Sequence, residues 1–137
     1  MNLFHRRGAT AIEFALTLPL FVALVTAIFE YGWMFYMRST VIHAVRDGCR
    51  AGAVIPWNES PSPNEVAQAR MTDFLAGYSI DCRGDSERCG IAVTSEGESP
   101  YETMNCELTI AYEPMIGVLP VPERLGAGSV VMYEIQQ

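Results

Sequence analysis

The sequence predicts an α+β protein with a long N-terminal transmembrane helix, a second short helix and a small antiparallel three-stranded sheet. Residues 9–29 form an almost unbroken apolar run, and the helical periodicity continues to about Val54. After a proline-rich break, alternating apolar and polar residues mark three strands. The 137 residues therefore divide into a cytoplasmic leader (1–8), a transmembrane and extended helix (9–55) and an exported α+β domain (56–137).

The apolar run is long enough to cross a bilayer. Its 21 residues give about 30 Å of helix, which matches the hydrocarbon thickness. Arg6 and Arg7 precede the run and aromatic residues follow it, as is typical of a span whose N-terminus stays in the cytoplasm. The alternative is a secretory signal cleaved after Ala27, but the helical pattern continues past that point. We expect a retained single-pass anchor.

Charge divides the chain in the same way. Residues 1–50 carry five Arg and three acidic residues, whereas residues 51–137 carry four Arg and thirteen acidic residues. A domain this acidic excludes nucleic acid as a partner. The sequence contains no phosphate-binding glycine loop, zinc-protease helix or nucleophile elbow. We therefore expect no enzyme activity, no metal, no cofactor and no small-molecule substrate.

Four cysteines follow the apolar run, namely Cys49, Cys82, Cys89 and Cys106. An even number in an exported domain predicts two disulfides, although free thiols in a reducing compartment are the alternative. Three pairings are possible. The short separation of Cys82 and Cys89 favours their pairing and leaves Cys49 for Cys106.

Two residues interrupt the apolar run. Glu13 places a carboxylate within the run. Inserting a carboxylate near the bilayer centre costs about 2.5–3.5 kcal/mol, and the cost is somewhat less nearer the edge. Glu13 must therefore find a partner, become protonated or reach the headgroups. Pro19 removes the backbone hydrogen bond to Ala15 and predicts a kink that neighbouring helices can compensate.

The residues that lead into the run form a pattern. Arg6 and Arg7 are followed by Gly8-Ala9-Thr10-Ala11-Ile12-Glu13-Phe14. This stretch resembles the processing site of type IV pilin-like proteins, which a prepilin peptidase cleaves after glycine. The resemblance implies that Ala9 becomes the new N-terminus, with Glu13 and Phe14 as the fifth and sixth mature residues. It also implies that Glu13 pairs with the α-amine of a neighbouring subunit.

A longer stretch, from Arg6 to Val54, is similar to the TadE-like family of pseudopilins (TadE and TadF). It has the Arg-Arg-Gly start, the Glu-Phe pair, a proline within the apolar helix and an Ala-Arg-x-Gly-like closing segment at residues 44–52. The resemblance implies a minor component of an adhesive Tad (Flp) pilus system in the bacterial inner membrane. Its partners would be other Tad pilins, the peptidase and an inner-membrane assembly platform. The alternative is a membrane-anchored periplasmic binding or sensing module.

Further expectations concern packing after the span. Gly48 and Gly52 lie on the apolar face of the long helix, where they permit close approach by the chain's own sheet or by a partner subunit. Ser62, Pro63 and Glu65 predict the start of a second helix that ends at about Ala76. Its predicted buried stripe is Ala67, Met71, Phe74, Leu75 and Tyr78. The predicted strands are 91–95, 104–113 and 129–135, and the apolar loop 114–122 covers the sheet edge or contacts a partner.

Overall fold

Two helices and a three-stranded sheet make up the fold. The structure, a computed structural model, describes residues 3–56, 60–82, 87–96 and 103–133; for residues 3–9 it describes the helical backbone alone. The elements are α1 (Leu3–Ala53), α2 (Pro63–Ala76), β1 (Cys89–Glu96), β2 (Thr103–Ala111) and β3 (Arg124–Met132). The predicted α+β class is confirmed.

The described residues fall into two compact units. One unit comprises those within Met1–Met34 and Pro114–Val121, and the other comprises those within Phe35–Glu113 and Pro122–Gln137. Helix α1 therefore contributes its first part to one unit and its last part to the other.

The second unit is built on an antiparallel meander. Strand β2 lies between β1 and β3, with Cys89 opposite Ile110 in one pair and Thr103 opposite Met132 in the other. The side chains of Cys106, Leu108 and Ile110 alternate along β2 and are fully or almost fully buried, as their spacing predicted. The rest of the core comes mainly from the helices: Val41, Ala44, Val45 and Cys49 on α1, and Ala67, Met71 and Leu75 on α2.

Helix α2 begins where its capping signals place it. Ser62 is the N-cap, its hydroxyl accepts from the Glu65 backbone N–H at 3.4 Å, and its own backbone N–H donates to the Glu65 carboxylate at 2.8 Å. The donors on Ser62, its backbone N–H first and its hydroxyl second, lower the pKa of Glu65 below its ordinary value. Of the five residues in the predicted buried stripe, Ala67, Met71 and Leu75 are buried and Phe74 is half-buried. The prediction is wrong at Tyr78, which lies beyond the helix and is 45% exposed.

Both predicted disulfides are present. Cys49 on α1 pairs with Cys106 on β2, with a Cα–Cα distance of 5.8 Å, and Cys82 pairs with Cys89 at 5.2 Å. The longer bridge ties the end of α1 to the central strand, 57 residues further along the chain. Residues 83–86, inside the shorter bridge, lie outside the described part of the chain.

Among the predicted strand boundaries, the start of β3 shows the largest error, and the ends of β1 and β2 differ from their predictions by one or two residues. Strand β3 begins at Arg124. The prediction of residue 129 was too late, because Gly126 and Gly128 weaken the local strand pattern. The structure pairs these glycines with Thr109 and Glu107 of β2, so the cross-strand ladder overrides the local preference. A Cβ atom at Gly126 would lie 3.3 Å from the Thr109 Oγ1 atom, a tight approach that glycine relieves. Residues 134–135 of the predicted strand lie outside the described chain.

Candidate functional site

The first part of α1 exposes apolar side chains on every face. Leu16, Leu20 and Phe14 are 74%, 73% and 64% exposed, and residues 10–24 are all exposed. A helix that packs on a soluble domain has a polar face toward water, whereas a helix that is apolar all round requires an apolar environment. By length and composition this is the one helix in the described part of the chain that is suited to cross a membrane. It is a candidate single-pass anchor.

Hydroxyl groups in this segment are bonded within the helix. The Thr17 Oγ1 atom donates to the Glu13 carbonyl oxygen at 3.1 Å, and the Thr26 Oγ1 atom donates to the Val22 carbonyl oxygen at 2.8 Å. Bonding to the carbonyl four residues earlier satisfies the hydroxyl locally. These threonines therefore add little to the cost of placing the segment in lipid.

Glu13 stands out against this surface. Its side chain is exposed among apolar neighbours, and the described ranges from residue 10 onward provide no hydrogen-bond or ion-pair partner for its carboxylate. Phe14, beside it, is also exposed. Of Gly8 and Ala9 the structure describes only the helical backbone. Pro19 lies inside α1, and the helix continues through it.

A second acid in α1 has the opposite environment. Glu30, the residue directly after the apolar run, is completely buried. Its carboxylate accepts hydrogen bonds from the backbone N–H groups of Met115, Ile116 and Gly117, at 3.1, 2.8 and 3.3 Å. Both partners belong to the same compact unit. The apolar loop therefore folds into one unit with the first part of α1.

Sequence reasoning did not identify Glu30 as a site residue. The available signal was an acid at the end of an apolar run, which demands a partner as Glu13 does. The partner could not be deduced, because the loop lies about 85 residues further along the chain.

The two glycines near the end of α1 pack inside the chain. A Cβ atom at Gly52 would lie 2.6 Å from the Pro63 carbonyl oxygen and 2.8 Å from the Ala67 Cβ atom. A Cβ atom at Gly48 would overlap the Met71 side chain and lie 2.9 Å from the Ala67 carbonyl oxygen. The close neighbour is chiefly α2, not the sheet. Within the chain, Gly48 and Gly52 therefore permit the close approach of α2 to α1.

Polar groups elsewhere offer little chemistry. Among the described residues, no group of three or more His, Cys, Asp or Glu side chains is placed to hold a metal ion. The Arg70 Nε atom contacts the Asp47 carboxylate at 2.7 Å, but both side chains are largely exposed. A pair of this kind is a weak, solvent-screened contact.

Comparison with known proteins finds one similarity, in the first part of the chain. Residues 8–50 match the family model described as TadE-like protein, which covers a little under a third of the chain. No curated protein matches the chain, and no solved structure matches it. The matched segment begins at Gly8 and contains Glu13, Glu30 and Gly48.

Proposed function

We propose that this chain, whose residues 8–50 form a TadE-like segment, is a minor pilin-like component of a Tad-type pilus assembly system. In this proposal α1 holds the chain in the bacterial inner membrane, with the N-terminus in the cytoplasm and residues 56–137 in the periplasm. A prepilin peptidase removes residues 1–8. The mature chain then assists initiation or assembly of the pilus and catalyses no reaction itself.

One observation carries the proposal. The Glu13 carboxylate is exposed in a helical segment that is apolar on every face, and the described residues from position 10 onward offer it no partner. Glu13 lies five residues after the glycine at which the family match begins. In a helix that only anchors a protein, such a carboxylate makes membrane insertion less favourable and brings no gain. A subunit that docks onto others in the membrane can use it, because attraction to an opposite charge is strong at low dielectric.

Cleavage after Gly8 supplies that opposite charge. It creates a free α-amine at Ala9, near the cytoplasmic end of the span, while leaving the apolar helix intact. The α-amine of one subunit and the Glu13 carboxylate of the next form an ion pair that fixes their axial register. A pair formed within one helix would satisfy the charge but would not select a neighbour.

The first experiment tests processing. We expect the intact mass of the protein, extracted from membranes of a piliated cell, to correspond to a chain that begins at Ala9. Blocking the site with Gly8→Leu is expected to leave the full-length mass, with both disulfides still formed. A wild-type chain that begins at any other residue contradicts the processing step.

The second experiment tests Glu13. Glu13→Gln keeps the side-chain shape and removes the charge, so we expect membrane insertion and disulfide formation to be unchanged. Crosslinking to other pilins, measured after copurification, is expected to fall. Thr17→Val is the matched control, because it changes a polar residue one helical turn away without altering charge. If Glu13→Gln crosslinks as well as wild type, a membrane-anchored binding or sensing module becomes the better description.

A further inference from the structure

Residues 115–117 form an anion-binding site that the Glu30 carboxylate of the same chain occupies. The carboxylate is fully buried, and three consecutive backbone N–H groups, at residues 115–117, point to its two oxygens. Gly117 has φ +73°, a left-handed conformation that side chains rarely adopt. A turn of this kind makes successive N–H groups converge on one anion. The contact therefore holds the loop 114–121 at a defined point on α1.

The contact satisfies polar groups on both sides, namely the Glu30 carboxylate and the backbone N–H groups of the loop. A carboxylate directly after an apolar span is costly to bury unless it is hydrogen-bonded. An irregular loop near lipid has the reverse problem, because unsatisfied backbone N–H groups are not tolerated there. Glu30 accepts three of these N–H groups, and Pro114 and Pro120 have none to satisfy.

The loop presents apolar side chains outward. Met115, Ile116 and Val118 are 58%, 46% and 75% exposed, and residues 114–122 contain no charged residue. In water, a contiguous exposed group of this kind is unfavourable and marks an interaction surface. It is fixed beside residue 30, where the apolar run has just ended and Tyr31 and Trp33 follow in the sequence. Aromatic residues of this kind are typical of the membrane–water interface.

We propose that loop 114–121 is a membrane-interface loop that inserts Met115, Ile116 and Val118 into the outer leaflet of the same bilayer that α1 spans. Glu30 is the positioning residue, since it holds the loop through backbone hydrogen bonds and does not itself contact lipid. This inference rests on the proposed membrane anchor. It adds a second point of attachment, at the boundary where apolar side chains insert about 5–10 Å into the headgroup and acyl region.

Lipid fits this surface better than a protein partner. The exposed loop belongs to the same compact unit as the exposed apolar helix, so the two surfaces share one environment. The loop offers no charged group to select a partner's charge, and its N–H donors at 115–117 are already used. A bilayer requires neither a charged group nor free N–H donors, because it accepts apolar side chains without specific polar contacts.

The test measures the environment of one side chain in the full chain. The protein is reconstituted in vesicles of phosphatidylcholine and phosphatidylglycerol, with a spin label on Val118→Cys attached after the native disulfides have formed. Collisions with oxygen, which concentrates in lipid, are compared with collisions with a nickel chelate, which stays in water. Labels at Leu16→Cys and Gln68→Cys give the lipid and water references. We expect residue 118 to show the oxygen preference of residue 16.

Glu30→Gln tests the positioning role, because an amide offers one acceptor and brings N–H donors against the donors of the loop. We expect the label at 118 to lose its oxygen preference while the label at Leu16→Cys keeps it. Glu113→Gln is the matched control, since it makes the same substitution at an exposed acid beside the loop. An unchanged label in Glu30→Gln overturns the positioning role.

Other outcomes separate the alternatives. In the chain that keeps Glu30, a label at residue 118 that collides mainly with the nickel chelate overturns the lipid contact. This result does not depend on how any Glu30 variant folds. Spin–spin broadening that grows with the protein-to-lipid ratio also overturns it and assigns the loop to a second copy of the chain. Water exposure of the label at residue 16 refutes the membrane anchor itself, and with it the proposed function.

Discussion

Replacement of Gly52 by alanine tests the packing of the two helices most directly. The added Cβ atom would lie 2.6 Å from the Pro63 carbonyl oxygen, 2.8 Å from the Ala67 Cβ atom and 3.0 Å from the Met104 Sδ atom. Two of these three atoms belong to or are bonded directly to the backbone of α2, so they cannot move without shifting that helix. Only the methionine sulfur can rotate away at little cost.

The magnitude follows from two opposing effects. Overpacking of a well-filled core costs about 1–3 kcal/mol, since the neighbours must shift. Alanine recovers at most about 1 kcal/mol of helix propensity, and less at residue 52, because α1 ends at Ala53. The free energy of unfolding should therefore fall by about 1–2 kcal/mol. For a unit of this size each kcal/mol lowers Tm by about 4–8 °C.

The measurement is thermal unfolding of the full chain in detergent micelles, followed by near-ultraviolet circular dichroism. Gly32→Ala is the matched control in the same helix, since nothing lies within 4 Å of its added Cβ atom. We expect the control to keep or slightly raise Tm through helix propensity. Equal behaviour of the two variants would refute the close packing of α2 on α1.

Three further predictions concern the loop, the α2 cap and the disulfides. Gly117→Ala is expected to lower stability by about 1–2 kcal/mol, measured by chemical denaturation, because alanine is strained at φ +73° although space for its Cβ atom exists. Ser62→Ala should cost about 1 kcal/mol at neutral pH. The stability that Glu65 contributes is fully present above its unfolded-state pKa, and it is lost as the pH falls below the ordinary value of 4.5 and through the lowered folded pKa. An acid titration of the wild type against Glu65→Gln checks this, because the variant removes the carboxylate that titrates. Loop-closure entropy predicts that replacing both cysteines of the Cys49 bridge costs about 4 kcal/mol, against about 2.5 kcal/mol for the Cys82 bridge, and urea midpoints of the two double variants test the order.

Local signals predicted the elements that depend on local physics. The capping pattern at Ser62 placed the start of α2 correctly, because an N-cap is decided by residues within one turn. Alternation along β2 predicted its buried face, since the pleat fixes which side chains face the core. The periodicity of α1 predicted an end near Val54, and the helix ends at Ala53.

Features that depend on distant partners were missed. The start of β3 was placed too late, because Gly126 and Gly128 are poor strand formers and only the ladder with β2 explains them. The contact between the 114–121 loop and Glu30 was also missed, since the two are about 85 residues apart in the sequence. In both cases the decisive interaction joins residues that no window of local sequence contains.

Glu13 and Glu30 both lie in the segment that matches the TadE-like family model, and their different burial gives them different needs for a partner. Each places a carboxylate in or beside the apolar run, and each carries the same demand for a partner. Three backbone donors meet that demand at Glu30 within the chain, so its charge has no need of another subunit. Glu13 has no such donor in the described residues from position 10 onward. The demand that remains is therefore at Glu13, which is why assembly is expected to depend on Glu13 and the fold of the single chain on Glu30.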